Sequence, residues 1–438
     1  FLADLPELPD LDNLFAPTGA IALAQKLAAH AFGASQTWFL VNGSTAGIIA
    51  AILATVRPGD KIILPRNVHQ SVISGLILSG ALPVFISPEF DPVWGLALSI
   101  TPASVTEALA AHPDAKAVMM VYPTYQGVCG DIQAIARVTH QFGIPLLVDE
   151  AHGPHFAFHP ELPTPALVAG ADLSVQSIHK VLGAMTQASM LHIQGDRIDV
   201  NRLSQSLQVM QSTSPSYLLL ASLDAARQQM ALQGQELMTQ TLALGSRARE
   251  EIAQIPGLAV LTPPEPKIPG FVAGDRTRLT VGVWEWGLSG YEVDEMLQDR
   301  FGVTCELPSP DHLTFIISLG NTEADIDQLL QGFLTLSQEY YHNRRSVSLH
   351  PTPPSPALSL SPRNAFFAEV EAIPITEAIA RVSAELVCPY PPGIPILMPG
   401  ERITLEAVAY LQQVLIEGGI LTGCSDPTLA TLKVVRTE

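Results

Sequence analysis

Short apolar runs recur along the first half of the chain, with room for a helix between most of them. TWFLV (37–41), KIILP (61–65), LPVFIS (82–87), KAVMMVYP (116–123), IPLLVDE (144–150), DLSVQS (172–177) and SMLHIQ (189–194) each have the length of a strand. Segments such as TPASVTEALAAH (101–112) and DIQAIARVTHQFG (131–143) between them are helical in length and pattern. Runs apolar throughout, rather than alternating, belong to strands buried on both faces. The rhythm therefore predicts an α/β domain with a largely parallel sheet of seven strands, the last run being a candidate exception in direction.

From residue 214 to 255 the pattern becomes long helical material leaving this domain. After Pro256, RLTVGVWEWGLSG, YEVDEMLQDRFG and LTFIISLG read as strand, helix and strand of a smaller α+β unit. RRSVSLHPTPPSPALSLSPR is rich in proline and serine and predicts an extended connector. The expected division is 1–235 for the large domain with its N-terminal segment, 236–345 for the small domain, 346–363 for the linker and 364–438 for a C-terminal segment. No internal repeat is visible.

Composition narrows the possibilities. Of 438 residues, 47% are hydrophobic and 15% charged, as in an ordinary soluble protein. A formal charge of −19 leaves no surplus of cations to neutralise phosphates, which argues against nucleic acid. Residues 30–56 and 67–88 carry no Asp, Glu, Lys or Arg, but Asn42, Gly43, Ser44, His69, Gln70 and Pro83 interrupt them, so buried helix and strand fit better than a membrane span. Cys129, Cys305, Cys388 and Cys424 are scattered without a CxxC pair or clustered histidines. Neither a disulfide scaffold nor a metal site is suggested, and the expectation is a reducing compartment, the cytoplasm.

One charge stands out. Lys180, in SIHK, lies between the strand-like ADLSVQ and the weakly polar VLGAMTQASML. A lysine here either sits at the strand's rim and reaches water, or is uncharged because its amine is tied to a cofactor as a Schiff base. Four segments at predicted carboxyl ends of strands bear on the choice, since ligands bind there in open parallel sheets. In FLVNGSTAGIIAAIL, Gly43, Ser44 and Thr45 offer a phosphate seat at a helix N-terminus, or Ser44 is a plain cap. In LPRNVHQSV, His69 is placed to stack on a flat ring, or is structural. In PLLVDEAHG, Asp149 is placed to pair with a protonated ring nitrogen or to cap the next segment; Glu150 points the other way if the strand continues, and His152 belongs to the same neighbourhood. In SVQSIHK, Ser177 and Lys180 bracket a turn. A phosphate seat, a stacking partner, an anion and an amine together are what pyridoxal 5′-phosphate requires. The order of Asp149 and Lys180 also resembles the aspartate-aminotransferase-like fold.

The segments FLVNGSTAG, LPRNVHQSV, VYPTYQGVCGD, LLVDEAHG, QSIHKVLGAMTQAS and PYPPGIPILMPGE together resemble the Orn/Lys/Arg decarboxylases, pyridoxal-phosphate enzymes of fold type I. The resemblance implies that Lys180 holds the cofactor's aldehyde, Asp149 pairs with the pyridine nitrogen and His69 stacks on the ring. Gly43, Ser44, Thr45 and Ser177 would border the phosphate, with Ala151 and His152 in the same pocket and His179 beside the reacting carbon. It implies a homodimer with a shared active site, in which Ser212 and Thr213 of QSTSPSY reach the partner's phosphate. The sequence as given starts downstream of the family's PGHK segment and lacks the receiver-like domain of the large inducible enzymes, so a dimer rather than a larger assembly is expected. The implied reaction is α-decarboxylation of lysine, arginine or ornithine to the amine and carbon dioxide. Reading the substrate's basic end calls for an acid, and Glu385, Asp131 and Glu401 are the candidates, although each also suits a structural role. An aminotransferase, for which Arg381 would be the carboxylate partner, an aldolase, and a non-catalytic cofactor-binding protein are the alternatives.

Overall fold

The structure, a computed structural model, describes residue 5 and residues 11–341, 349–390 and 393–436. Its central sheet contains β1 (Gln36–Leu40), β2 (Lys61–Pro65), β3 (Leu82–Ile86), β4 (Ala117–Val121), β5 (Leu146–Asp149), β6 (Leu173–Gln176) and β7 (Ser189–Ile193), in the order β1-β7-β6-β5-β4-β2-β3. Strand β7 is antiparallel to both its neighbours, β1 and β6. The other neighbouring pairs are parallel, so β1 points the same way as β2 to β6 and their carboxyl ends share one edge.

Both faces of this sheet are covered, which explains why its strands read as unbroken apolar runs. Val118, Met120, Leu146 and Val148 enter one core with α1 (Ala20–Phe32) and with Val105 and Ile132 from the helices at Pro102–Ala111 and Ile132–Gln141. Ala117, Met119 and Leu147 alternate into a second core with α2 (Gly43–Thr55), α3 (Gln70–Ser79) and the helix Val200–Met210. Helix α2 lies so close to the sheet that a Cβ on Gly47 would stand 2.6 Å from Leu40 and 2.8 Å from Val175. On the first face a polar ladder is buried. Thr37 bonds His192 at 2.8 Å, His192 bonds Gln176 at 3.1 Å, and Glu150 accepts from Gln176 at 2.9 Å, Ser174 at 2.5 Å and the Ala166 N–H at 2.8 Å. It cross-links β1, β7 and β6 to the end of β5.

The 36-residue helix Tyr217–Ile252 serves two cores: Leu220, Leu223 and Met238 pack beneath the large sheet, whereas Leu244, Ala248 and Ile252 pack in the small domain. The division expected at 235/236 falls within this helix. The small domain is a four-stranded antiparallel sheet in which Arg278–Gly282 and His312–Ile316 are central, backed by Gly290–Phe301 and Glu323–Tyr340. Residues 342–348, which include the expected domain end and the first part of the linker, lie outside the described residues, as do 391 and 392 of the proline-rich motif. From residue 349 the connector runs without helix or strand to Ser361, held by the His350 N–H on the Pro92 carbonyl at 2.8 Å and by His350 on Asp311 at 2.9 Å.

The C-terminal segment forms its own core around Val387, Leu397, Ile403, Leu411 and Leu432. It is fastened to the large domain by Arg66, the residue after β2. The Arg66 guanidinium donates to the carbonyls of Pro395 at 2.7 Å and Ile396 at 3.0 Å and to both carboxylate oxygens of Glu401 at 3.2 Å. Both side chains are buried, and burial raises the Glu401 carboxyl to about 7.

Two stability measurements follow from these contacts. Arg66→Met strands a buried carboxylate and two carbonyls, and should cost about 3 kcal/mol or more in equilibrium urea unfolding. Burial also raises the Glu150 carboxyl, from 4.5 to about 7. Because the folded state then holds this proton more tightly, the group's contribution to stability is complete below about pH 4.5 and is lost as pH rises through about 7. Glu150→Gln should therefore flatten the fall in stability across that window, as read from unfolding curves at a series of pH values.

Candidate active site

Four strand ends on the shared edge deliver the residues singled out in the sequence. After β1 the chain turns through Asn42 and Gly43, whose φ of +73° is open to glycine without strain, and enters α2 with Ser44 and Thr45 in the first turn. After β2, His69 caps α3: its Nδ1 accepts the Ser71 N–H at 3.2 Å and lies 2.9 Å from the Ser71 hydroxyl. At the end of β5 stands Asp149, and after β6 Ser177 leads into the short helix Ile178–Val181, which carries His179 and Lys180. The neighbouring strands pair Asp149 with Val175, so the acid and the lysine leave adjacent parallel strands.

The structure brings these residues together. The Ser177 hydroxyl donates to the Ser44 hydroxyl at 2.8 Å, joining two of the expected phosphate contacts. Asp149 is buried and takes the Ala151 N–H at 3.2 Å; no other hydrogen bond reaches its carboxylate among the described residues. Burial raises its pKa, against the opposing pull of Lys180. Lys180 is lowered, first by burial, while Asp149 favours its charge and Arg278 opposes it. Its Nζ stands 3.0 Å from His152 Nε2 and 5.9 Å from the centre of the Tyr125 ring. Burial and the nearby Lys180 bring His69 down to about 4. His179 is lowered by burial and places Nδ1 3.0 Å from the Ala188 carbonyl, so that Nδ1 donates and Nε2 keeps its lone pair.

This constellation fits pyridoxal phosphate on its own chemistry. Free helix N–H groups and paired hydroxyls suit a phosphate, and the buried carboxylate has an oxygen to spare for a ring N–H. A flat neutral imidazole and a desolvated amine complete the set. Thr45 is exposed on the first turn of α2. Ser212 and Thr213 are exposed as well, and the Ser212 N–H bonds Asn42 of the same chain at 3.0 Å, which puts that segment at the rim of this chain's own phosphate seat.

The three acids considered for the substrate's basic end are occupied elsewhere. Asp131 caps the helix Ile132–Gln141 through the Ala134 N–H at 2.9 Å. Glu385 accepts from the Ser425 N–H and hydroxyl at 2.8 and 2.9 Å and from the Lys433 N–H at 2.7 Å, inside the C-terminal segment. Glu401 is held by Arg66. Arg381 is likewise committed, to Glu371 at 2.6 Å and the Val435 carbonyl at 3.1 Å.

Three residues around Lys180 escaped the sequence reading. Tyr125 packs its ring 4.8 Å from that of His152. Arg278, fully buried, lies 2.9 Å from His152 Nδ1 and 3.8 Å from Asp275. Glu306, exposed at the small domain's edge, acts electrostatically on Lys180, His179 and Arg278. Arg278 opens the apolar run RLTVGV, but Asp275 and Arg276 just before it make it look like part of an ordinary charged turn. Glu306 left no signal, since nothing local ties it to a strand end of the other domain. A cavity of about 590 Å3 lined by His30, Phe32, Phe156, His159 and Val168 contains none of the site's residues.

Comparison with known proteins bears on the same residues. The family model for the Orn/Lys/Arg decarboxylase major domain matches residues 1–308, and that for the C-terminal domain matches residues 350–418. An arginine decarboxylase of Bacillus subtilis is 40% identical over 99% of this chain and 89% of its own length. The structure of lysine decarboxylase A from Pseudomonas aeruginosa superposes with a TM-score of 0.85 at 24% identity, covering 99% of this chain and 74% of that one. Ureidoglycine-glyoxylate aminotransferase from Bacillus subtilis shares the fold more distantly, with a TM-score of 0.58 at 14% identity over 74% of this chain and 86% of the other. The architecture is the aspartate-aminotransferase-like fold type I. With both of its domain models matched in order and 40% identity to a relative along almost all of its length, the chain belongs to the Orn/Lys/Arg decarboxylase family.

Proposed function

We propose that the protein is a pyridoxal-phosphate-dependent decarboxylase of a basic amino acid, with arginine the first candidate ahead of lysine and ornithine. One observation carries the reading: a half-buried amine and a buried carboxyl follow adjacent parallel strands on one edge of the sheet, beside a helix N-terminus suited to phosphate. Identity to relatives named arginine decarboxylase supports the choice of substrate.

The cofactor, when bound, supplies a ring that accepts the electron pair left as carbon dioxide departs. The chain's own residues set up that event. Asp149, buried and with one oxygen unbonded among the described residues, would stabilise a cationic ring nitrogen. Ser44, Ser177 and the first turn of α2 would hold the phosphate, and His69 would stack on the ring. Lys180, its Nζ lowered by burial and 3.0 Å from His152 Nε2, would hold the cofactor's aldehyde. The overall change replaces the carboxylate on Cα with a proton, which Lys180, or His179 once its Nε2 has taken up a proton, would deliver. Glu306 is the acid that reads the substrate's far end: it is the carboxylate of the small domain that acts on Lys180 and His179, and no side-chain hydrogen bond engages it among the described residues. A carboxylate can take a guanidinium through two parallel hydrogen bonds. The exposed hydroxyls of Ser212 and Thr213, at the rim of the phosphate seat, suit a homodimer in which the two sites lie close together.

Arg278 gives the aminotransferase alternative its one point of support, as a buried cation near the amine that could hold a substrate carboxylate. The reaction products decide between them. Purified protein supplied with pyridoxal phosphate should release carbon dioxide and agmatine from arginine, and borohydride reduction should fix the cofactor on Lys180. Keto acid without carbon dioxide, or a reduced adduct on another lysine, would overturn the assignment. Glu306→Gln should raise KM for arginine by about 10- to 100-fold with a smaller change in kcat, as expected for losing a charge-assisted contact present in both ground and transition states.

A further inference from the structure

Arg278 has no solvent exposure, yet its guanidinium is poorly neutralised. Asp275 lies 3.8 Å from Nε and gives the same oxygen to His155 at 3.1 Å. Neither Nε nor Nη1 has a hydrogen-bond partner among the described residues. What Arg278 does hold is His152, with Nη2 2.9 Å from Nδ1 and 3.5 Å from the backbone carbonyl. The other nitrogen of the same ring, Nε2, lies 3.0 Å from Lys180 Nζ.

These two contacts leave little freedom for the protons. A guanidinium carries only N–H donors and keeps its charge, so His152 Nδ1 has to accept. A neutral imidazole has a single N–H, which is then on Nε2. An ammonium has no lone pair, so a charged Lys180 would set two donors against each other at hydrogen-bond distance. If Nε2 instead accepted from an ammonium, Nδ1 would bear the proton and face the guanidinium. The arrangement that satisfies both contacts has Nε2–H donating to an uncharged amine.

We infer that Arg278 is a positioning residue which, by obliging His152 to carry its proton on Nε2, holds Lys180 as the free amine. The other groups facing Lys180 divide. Asp149 and Glu306 favour the ammonium, Arg278 opposes it through its charge, the imidazoles of His69 and His179 are neutral at pH 7, and Tyr125 presents its ring. Two carboxylates beside a lysine would ordinarily hold its proton; the tautomer lock works against them. Burial lowers both His152 and Lys180, in keeping with an imidazole and an amine that are both uncharged. The consequence is chemical, since only the free amine has the lone pair that attacks an aldehyde carbon, the carbonyl oxygen leaving as water with the two amine protons. This deepens the reading above, in which Lys180 takes an aldehyde, but its test uses neither cofactor nor substrate.

The full-length chain labelled with 15N-histidine, with His152 assigned by His152→Phe, should show His152 neutral with its proton on Nε2. In parallel, pH-dependent competitive acylation read by mass spectrometry gives the apparent pKa of Lys180. Arg278→Met should raise it by about one unit or more, which is about a tenfold loss of free amine below the pKa, whereas Arg278→Lys, still a cationic donor, should largely restore the original value. In the His152→Phe background most of the shift from Arg278→Met should vanish. An Nδ1–H or doubly protonated His152, or an equal Arg278→Met shift with and without the imidazole, would overturn the inference. Should Arg278→Met fail to fold, the spectrum of the unsubstituted chain and the Arg278→Lys titration decide the matter alone.

Discussion

Everything at this site depends on holding an amine and a carboxyl in the same dry pocket at the ends of two neighbouring parallel strands. Burial pushes Asp149 and Lys180 towards their neutral forms while each draws the other towards charge. For both groups burial outweighs the mutual attraction, so the pair leans towards its uncharged forms. The proposed cofactor would give each group its own partner, a cationic ring nitrogen for Asp149 and an aldehyde for Lys180. The central sheet serves this pairing first. Its parallel strands place Asp149 and Lys180 by register, and its buried polar ladder on the opposite face fixes the strands that carry them.

The remaining domains act on that pair through buried arginines. Arg66, just beyond β2, gathers the C-terminal segment by two carbonyls and Glu401, so that Gly393 is carried to the neighbourhood of His69, whose Cδ2 would lie 3.9 Å from a Cβ on that glycine. Arg278, the first residue of a small-domain strand, reaches back to His152 and from there to Lys180. Both cations are costly to bury; for Arg66 the cost is offset by its bonds to the C-terminal segment, whereas Arg278 has its contact to His152 and the nearby Asp275, with Nε and Nη1 unbonded among the described residues. The small domain also brings Glu306 within electrostatic range of the amine. A substrate's basic end would thus be read by one domain while its carboxylate carbon is treated by the other.

The large domain was legible in the sequence because its strands are buried on both faces, and burial on both faces writes an apolar run long enough to see. The same property marked the site: a polar or charged residue just past such a run is out of place unless it has work to do, and Asp149, His69, Ser177 and Lys180 were found in that way. The candidates at Asp131, Glu385 and Glu401 show where that logic stops. An acid near a motif looks alike in sequence whether it faces a pocket, caps a helix or grips a buried arginine, and here the bonds formed are the structural ones.

What the sequence determined by itself was therefore the doubly covered sheet, the gathering of Ser44, Asp149, Ser177 and Lys180 at its strand ends, and the family, since each follows from local patterning or from a short motif. What only the tertiary structure decided was which distant groups meet that amine: the ring of Tyr125, the imidazole of His152 turned by Arg278, and the carboxylate of Glu306. Those contacts join residues as far apart as His152 and Arg278, 126 positions in the numbering, and a side chain's partner across such a span is fixed by packing of domains, which no local period records.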